Sequence, residues 1–236
     1  MSPVLAVVFD LDDTLYPERE FVRSGLRVAS DYLLAEGIAR RPLFEDFLAA
    51  LESGERGRTF NRVLEAEGIE PAEPLIRQLV RVYRTHRFRG RVIRPDIRLY
   101  DDAQQALERL AGQGLRLGLI SDGPLESQQT KVEALDLARR MDAVILTDEW
   151  GRTFWKPHPR AFREMAARLK VAPSACVYVA DNPEKDFAGA AAAGWLPSIR
   201  VRQPDGLYRD AAPAEGSALA ATIETLDALP ALIAQR

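Results

Sequence analysis

The chain has 236 residues, 47% of them hydrophobic, enough for one large domain or a core with a smaller companion, and for a sizeable apolar interior. A formal net charge of −3 supplies no field that would favour nucleic acid, and no stretch approaches the roughly 18 apolar residues of a membrane span. The single cysteine, Cys176, rules out a disulfide within the chain and lies in an apolar run, so a buried thiol is expected. The start, Met-Ser-Pro and then an apolar run ending at Asp10, has no signal-peptide pattern, which makes the cytoplasm the expected location.

Residues 4–15 read Val-Leu-Ala-Val-Val-Phe-Asp-Leu-Asp-Asp-Thr-Leu. A continuous apolar, β-branched run marks a strand buried on both faces of a parallel sheet. It stops at Asp10, Asp12, Asp13 and Thr14. Ligands of open α/β sheets bind just beyond the carboxyl ends of strands, so Asp10 and Asp12 are expected at the mouth of the sheet. Two carboxylates two residues apart repel unless a cation or a shared proton offsets the charge. An acidic turn closing an ordinary strand fits the same residues.

Residues 17–90 change to helical spacing. Phe21, Val22, Leu26, Val28, Ala29, Tyr32 and Leu33 fit one amphipathic helix. Residues 42–53 and 59–67 read as two shorter helices and 74–87 as a longer one, an insert of about four. From Pro95 the alternation of βαβ units begins. Helix 101–113 leads to strand 115–120, helix 125–135 to strand 142–147, and helix 159–170 to strand 175–180. Helix 186–193 ends at Gly194 and leads to strand 197–201. Residues 202–217 read as a loop, and 221–235 as a short edge strand and a helix. The class is α/β.

Four segments carry a family resemblance: Asp10-Leu11-Asp12-Asp13-Thr14, Ser121-Asp122-Gly123, Lys156-Pro157, and Asp181-Asn182 with Asp186 beyond. Each alone fits an ordinary turn or loop. In this order, three of them at strand ends, they resemble the signatures of the haloacid dehalogenase superfamily, from residue 4 to about residue 201. The resemblance implies a Rossmann-like, doubly wound parallel sheet over residues 1–16 and 91–236, with 17–90 as a helical cap.

It also implies a Mg²⁺-dependent phosphatase of a small phosphate ester. Asp10 is then the nucleophile that forms an aspartyl-phosphate. Asp12 moves protons to the leaving alcohol and from water. Lys156 steadies the phosphate and the charge on Asp10. Ser121, Asp122 and Gly123 donate to phosphate oxygens, the last two through backbone N–H groups. Mg²⁺ takes carboxylate oxygens of Asp10 and Asp181 and the backbone carbonyl of Asp12. Asp186 either supports the metal through water or neighbouring ligands, or simply sits well at a helix start. Ala180 stands where many relatives have Gly, and its small side chain leaves metal binding intact.

Other residues leave two readings open. Arg77, Arg81, Arg84, Arg87, Arg89, Arg91, Arg94 and Arg98 form a solvated face or a surface attracting an anionic substrate. Phe154 and Trp155 pack a loop or wall an entrance. His86 and His158 are surface or packing residues, Trp195 belongs to the core, and Tyr16 and Pro17 mark a hinge. Segment 200–208 resembles relatives from surface-sugar biosynthesis, which leans the substrate toward a sugar phosphate, with nucleotides as rivals. A phosphomutase shares all four motifs. A haloacid dehalogenase shares the nucleophile but needs no metal and generally lacks the acid at Asp12. A non-catalytic binding protein can also stand on this fold. Oligomeric state is not legible.

Overall fold

The computed structural model describes residues 3–54, 57–215 and 217–235; residue 216, within the expected loop 202–217, lies outside them. The chain forms two compact units, Met1–Glu18 with Arg98–Arg236, and Arg19–Ile97. Among the described residues, no helix is long and apolar enough to cross a membrane.

Strand β1 (Ala6–Phe9) opens the chain. The helical unit follows with α1 (Glu18–Ala35), α2 (Phe44–Glu52), α3 (Thr59–Ala66) and α4 (Glu73–Thr85). Its own core gathers Leu26, Ala29 and Leu33, which lie on the stripe read from the helical spacing, with Phe47, Leu64 and Leu79 of the three helices that follow. The last helix stops two residues short of the expected 87. His86 takes a left-handed backbone, φ 52°, and the chain turns into a hairpin of β2 (Arg87–Phe88) and β3 (Arg91–Val92). Two residues per strand leave no alternation to read, which is why the hairpin was not expected. His86 is fully buried, so it packs; Nε2 lies 3.0 Å from Ser24 Oγ. Arg77 and Arg81 are exposed, and Arg77 pairs with Glu73.

The other unit alternates as expected. It contains α5 (Asp101–Gly112), β4 (Arg116–Ser121), α6 (Leu125–Ala134), α7 (Leu137–Arg140), β5 (Ala143–Leu146), α8 (Arg160–Leu169), β6 (Cys176–Ala180), α9 (Phe187–Ala192), β7 (Ser198–Val201), β8 (Leu219–Ile223) and α10 (Leu229–Ala234). Single-turn α7 was not foreseen, since four residues carry no helical period. The six strands lie in the order β5-β4-β1-β6-β7-β8 and every pair is parallel. This is a Rossmann-like, doubly wound α/β sheet.

Central β1 is buried along its whole length. Ala6 and Val8 share a core with Phe162, Met165 and Leu169 of α8 and with Phe187 and Ala190 of α9; Val7 and Phe9 point to the opposite face. Trp195 stacks edge-on to Phe162, 5.4 Å between centroids, in the same core. Cys176 is buried there too, and burial pushes its thiol up to about 11. Segment 219–223 alternates half-buried and exposed residues, as an edge strand does.

Candidate active site

The chain runs from β1 outward through β4 to β5, then crosses back to β6 on the other flank of β1. Connections therefore diverge at the carboxyl end of β1, where ligands of such sheets bind. Asp10 directly follows β1, Ser121 ends β4 and Asp181 directly follows β6. The Asp10 amide donates to Val179 O at 2.9 Å, fixing the first carboxylate to the neighbouring strand. Asp13 is left-handed, φ 52°, and its carboxylate accepts from the amides of Glu18 (2.9 Å) and Leu207 (3.1 Å), tying the loop after β1 to the C-terminal segment.

Lys156 enters this end of the sheet fully buried. Its Nζ donates to Asp10 Oδ1 at 2.5 Å and to Tyr178 Oη at 3.0 Å, and lies 2.8 Å from Asp186 Oδ1. Asp10, Asp181 and Asp186 each bring a carboxylate oxygen to within 4.8 Å of the others. Thr14 Oγ1 donates to Asp181 Oδ1 at 3.4 Å, and the Asn182 amide to Asp186 Oδ2 at 3.2 Å. Asp186 immediately precedes α9, and its carboxylate belongs to the acidic cluster.

The cluster is electrostatically incomplete. Burial raises the Asp10 carboxyl to about 6, Lys156 pulls it down and Asp186 pushes it up. Burial, then Asp10 and Asp186, push Asp181 well above the ordinary value. Three carboxylates crowd around the buried Lys156 ammonium, with Lys185 Nζ farther off, 3.9 Å from Asp186 Oδ1, so negative charge is in excess when all three are ionised. Among the described residues, Asp186 Oδ1 accepts no aligned hydrogen bond. Hard oxygen donors with this charge suit a divalent cation such as Mg²⁺ or Ca²⁺.

Asp12 is held by a different set of groups. Its Oδ1 accepts from Tyr16 Oη (2.6 Å) and Lys131 Nζ (2.7 Å), and its Oδ2 from Lys131 Nζ (2.8 Å) and Gln128 Nε2 (3.2 Å). Burial would raise the carboxyl, but Lys131 and these hydrogen bonds prevail and hold it below the usual range. Gln128 Oε1 in turn accepts the Ser121 hydroxyl at 3.1 Å. Asp122 Oδ1 accepts from Thr147 Oγ1 (2.6 Å) and the Lys156 amide (3.2 Å), and its Oδ2 from Lys185 Nζ (3.2 Å). The Asp122 side chain therefore braces the loop that carries Lys156.

Sequence reasoning missed Gln128, Lys131, Tyr178 and Lys185, and gave Tyr16 only a hinge. One signal was present. The chain has only four lysines, and three of them, Lys131, Lys156 and Lys185, contact site carboxylates. Phe154 and Trp155 are half-buried; Trp155 Nε1 donates to Asp148 at 3.1 Å and Phe154 meets the His158 ring at 5.0 Å. Both contacts are packing within the loop.

The family model of haloacid dehalogenase-like hydrolases matches residues 4–194. The chain belongs to this family. It is 30% identical over 216 residues to a glyceraldehyde 3-phosphate phosphatase of Methanopyrus kandleri, covering 89% of this chain and 88% of the relative. A phosphoglycolate phosphatase of Escherichia coli is 31% identical over 160 residues, 62% of each chain. Among solved structures, a 2-haloacid dehalogenase from Pseudomonas syringae pv. Tomato DC3000 superposes with TM-score 0.65 at 29% identity, over 98% of this chain and 99% of that one. The chain is a hydrolase of the family, of the phosphoric monoester kind that its curated relatives represent.

Proposed function

We propose that the protein is a Mg²⁺-dependent phosphatase that takes a small phosphorylated metabolite, with a sugar-like alcohol as leaving group and a nucleotide as the rival, and works through an aspartyl-phosphate on Asp10. The observation that carries the reading is the pairing of a buried Asp10–Asp181–Asp186–Lys156 cluster with a separately held Asp12. A nucleophile and a proton carrier on one loop, held by different partners, is what phosphate monoester hydrolysis requires.

In this reading an oxygen of Asp10 attacks phosphorus, while Asp12, a carboxylate in the free site, takes the proton of the monoanionic ester and passes it to the departing ester oxygen. Asp12 then takes a proton from water, which cleaves the acyl phosphate and restores Asp10. Lys156 balances the charge on Asp10 and on the phosphoryl group. Ser121 and the backbone amides of Asp122 and Gly123 hold phosphate oxygens, which requires the Ser121 hydroxyl to turn away from Gln128. The carboxylates of Asp10 and Asp181 and the Asp12 carbonyl, with Asp186 beside them, would hold Mg²⁺, which would supply neutralisation of the anionic reactants.

The helical insert, residues 17–90 between core segments 1–16 and 91–236, is assigned the choice of leaving group. The glyceraldehyde 3-phosphate and phosphoglycolate named for the relatives support small aliphatic esters. The test is phosphate release from a panel of such esters with and without Mg²⁺, alongside Asp10→Asn. Exchanging polar residues of the insert should shift kcat/KM between esters while leaving the Mg²⁺ response in place.

The likeness to a 2-haloacid dehalogenase favours a second reading, attack by Asp10 on carbon. Halide departs without a proton, and that chemistry gives no work to a clamped Asp12 or to three clustered carboxylates. Metal-independent halide release from 2-haloacids would overturn the phosphatase.

A further inference from the structure

We infer that Gln128 and Lys131 of α6 are positioning residues that aim the Asp12 carboxyl at the leaving-group oxygen, a device for esters of aliphatic alcohols; the inference rests on the phosphatase reading. Three side chains, Tyr16, Gln128 and Lys131, direct four hydrogen bonds at the two oxygens of Asp12. The Asp12 side chain keeps 21% of its surface exposed, whereas that of Lys131 keeps 3%. Burying an ammonium costs several kcal/mol unless it is paired. An apolar residue would fill this helix position without that cost, so packing alone does not account for Lys131.

Gln128 adds a second constraint. Its amide donates to Asp12 and accepts from Ser121, so a flip would break both hydrogen bonds. In the free site it therefore ties the group on the leaving-group side to the group on the phosphate side; when the Ser121 hydroxyl turns to phosphate, the hydrogen bond to Asp12 is the one that stays. Gly123 leaves the room for it. A Cβ at Gly123 would stand 2.4 Å from Gln128 Nε2, at a backbone φ of 130° that side chains rarely adopt.

The need for such a clamp depends on the ester. As the bond from Asp10 to phosphorus forms and the phosphorus–oxygen ester bond breaks, an aliphatic alkoxide must take the Asp12 proton to leave as an alcohol. The attacking water of the second step returns a proton to Asp12, which closes the balance. Well-placed proton transfer contributes about 10²–10⁴-fold, and a misplacement of about 1 Å can cost about 10²-fold. A nitrophenolate leaves without a proton, so its ester should be indifferent to where Asp12 points.

The experiment compares Lys131→Met and Gln128→Leu with the wild type on glyceraldehyde 3-phosphate and p-nitrophenyl phosphate, with Mg²⁺. The readout is kcat/KM, which ends at the first irreversible step. Loss of about 10²-fold on the aliphatic ester, with the aryl ester within a few-fold of wild type, is expected. Gln128→Leu removes no charge and keeps the test open where Lys131→Met does not fold. Equal losses on both esters, or no loss on either, overturn the inference. A wild type inert to p-nitrophenyl phosphate and to every aliphatic ester of the panel, with Mg²⁺, overturns the phosphatase reading and the inference with it.

Discussion

The ammonium of Lys156 lies 2.8 Å from Asp186 Oδ1, and neither side chain exposes any surface to solvent. Removing one partner of a buried pair typically costs about 3–5 kcal/mol, because the other charge stays buried without compensation. Lys156→Met should lose stability of that order in urea unfolding without metal, and should lose activity too. The deficit should shrink at pH 5, where the stranded carboxylates can take up protons. Equal stability of variant and wild type at pH 8 would contradict this account.

Asp10→Asn should separate activity from folding. An amide does not attack phosphorus effectively, so turnover should fall by several orders of magnitude. Metal-free stability should hold or rise, because one of three mutually repelling carboxylates is gone. Phosphate release near the wild-type rate would sink the covalent mechanism.

Metal and protons should compete for the same carboxylates. Asp10 is raised to about 6 from 3.8, and Asp181 is raised as well. A raised carboxyl binds its proton more tightly in the folded state. Its stabilisation is fully present below the unfolded value and is lost as pH rises through the folded one. The metal-free protein should therefore lose the Asp10 contribution between about pH 4 and just above pH 6, with that of Asp181 lost in the same direction. Mg²⁺ should restore it, raising Tm more at pH 8 than at pH 5, and EDTA should silence turnover. Differential scanning calorimetry across this range, with and without Mg²⁺, checks the sign.

The helical unit should respond to pH in the opposite direction. Burial lowers His86 from 6.5 to about 4, so the unfolded chain binds this proton first. The contribution is present above pH 6.5 and declines as pH falls toward about 4, by about 3 kcal/mol at most. Urea unfolding of wild type and His86→Gln between pH 7 and pH 5 should show the flatter profile in the variant. Parallel profiles would remove His86 as the cause.

The strands were legible because burial on both faces leaves unbroken apolar runs, and a run such as 175–180 needs no partner to be seen. It proved to be Cys176–Ala180. Asp10, Ser121 and Asp181 were legible because each stands where such a run ends. Gln128 and Lys131 were not. They lie on a helix, where a polar residue ordinarily faces water, yet Ser127, Gln128 and Lys131 of α6 are all buried. Polarity can be read from a sequence, but the direction a polar residue faces depends on a loop more than a hundred residues away. Tyr16 escaped for a similar reason, since its hydroxyl finds Asp12 only when the loop after β1 doubles back.

The central place of β1 sets an order of events during synthesis. Ala6–Phe9 leaves the ribosome before both of its neighbours, Arg116–Leu119 and Cys176–Val179. At about 5–20 residues per second, roughly ten to thirty seconds separate Phe9 from Cys176. Throughout that interval a fully apolar segment has no strand to pair with on one side, which is the condition in which nascent chains recruit chaperones or aggregate. The residue assigned the nucleophilic attack is thus made before the strands that flank it and is set in place only after both. A chain that stalls before residue 176 would carry Asp10 on a strand paired on one side at most, and would lack Asp181 and Asp186.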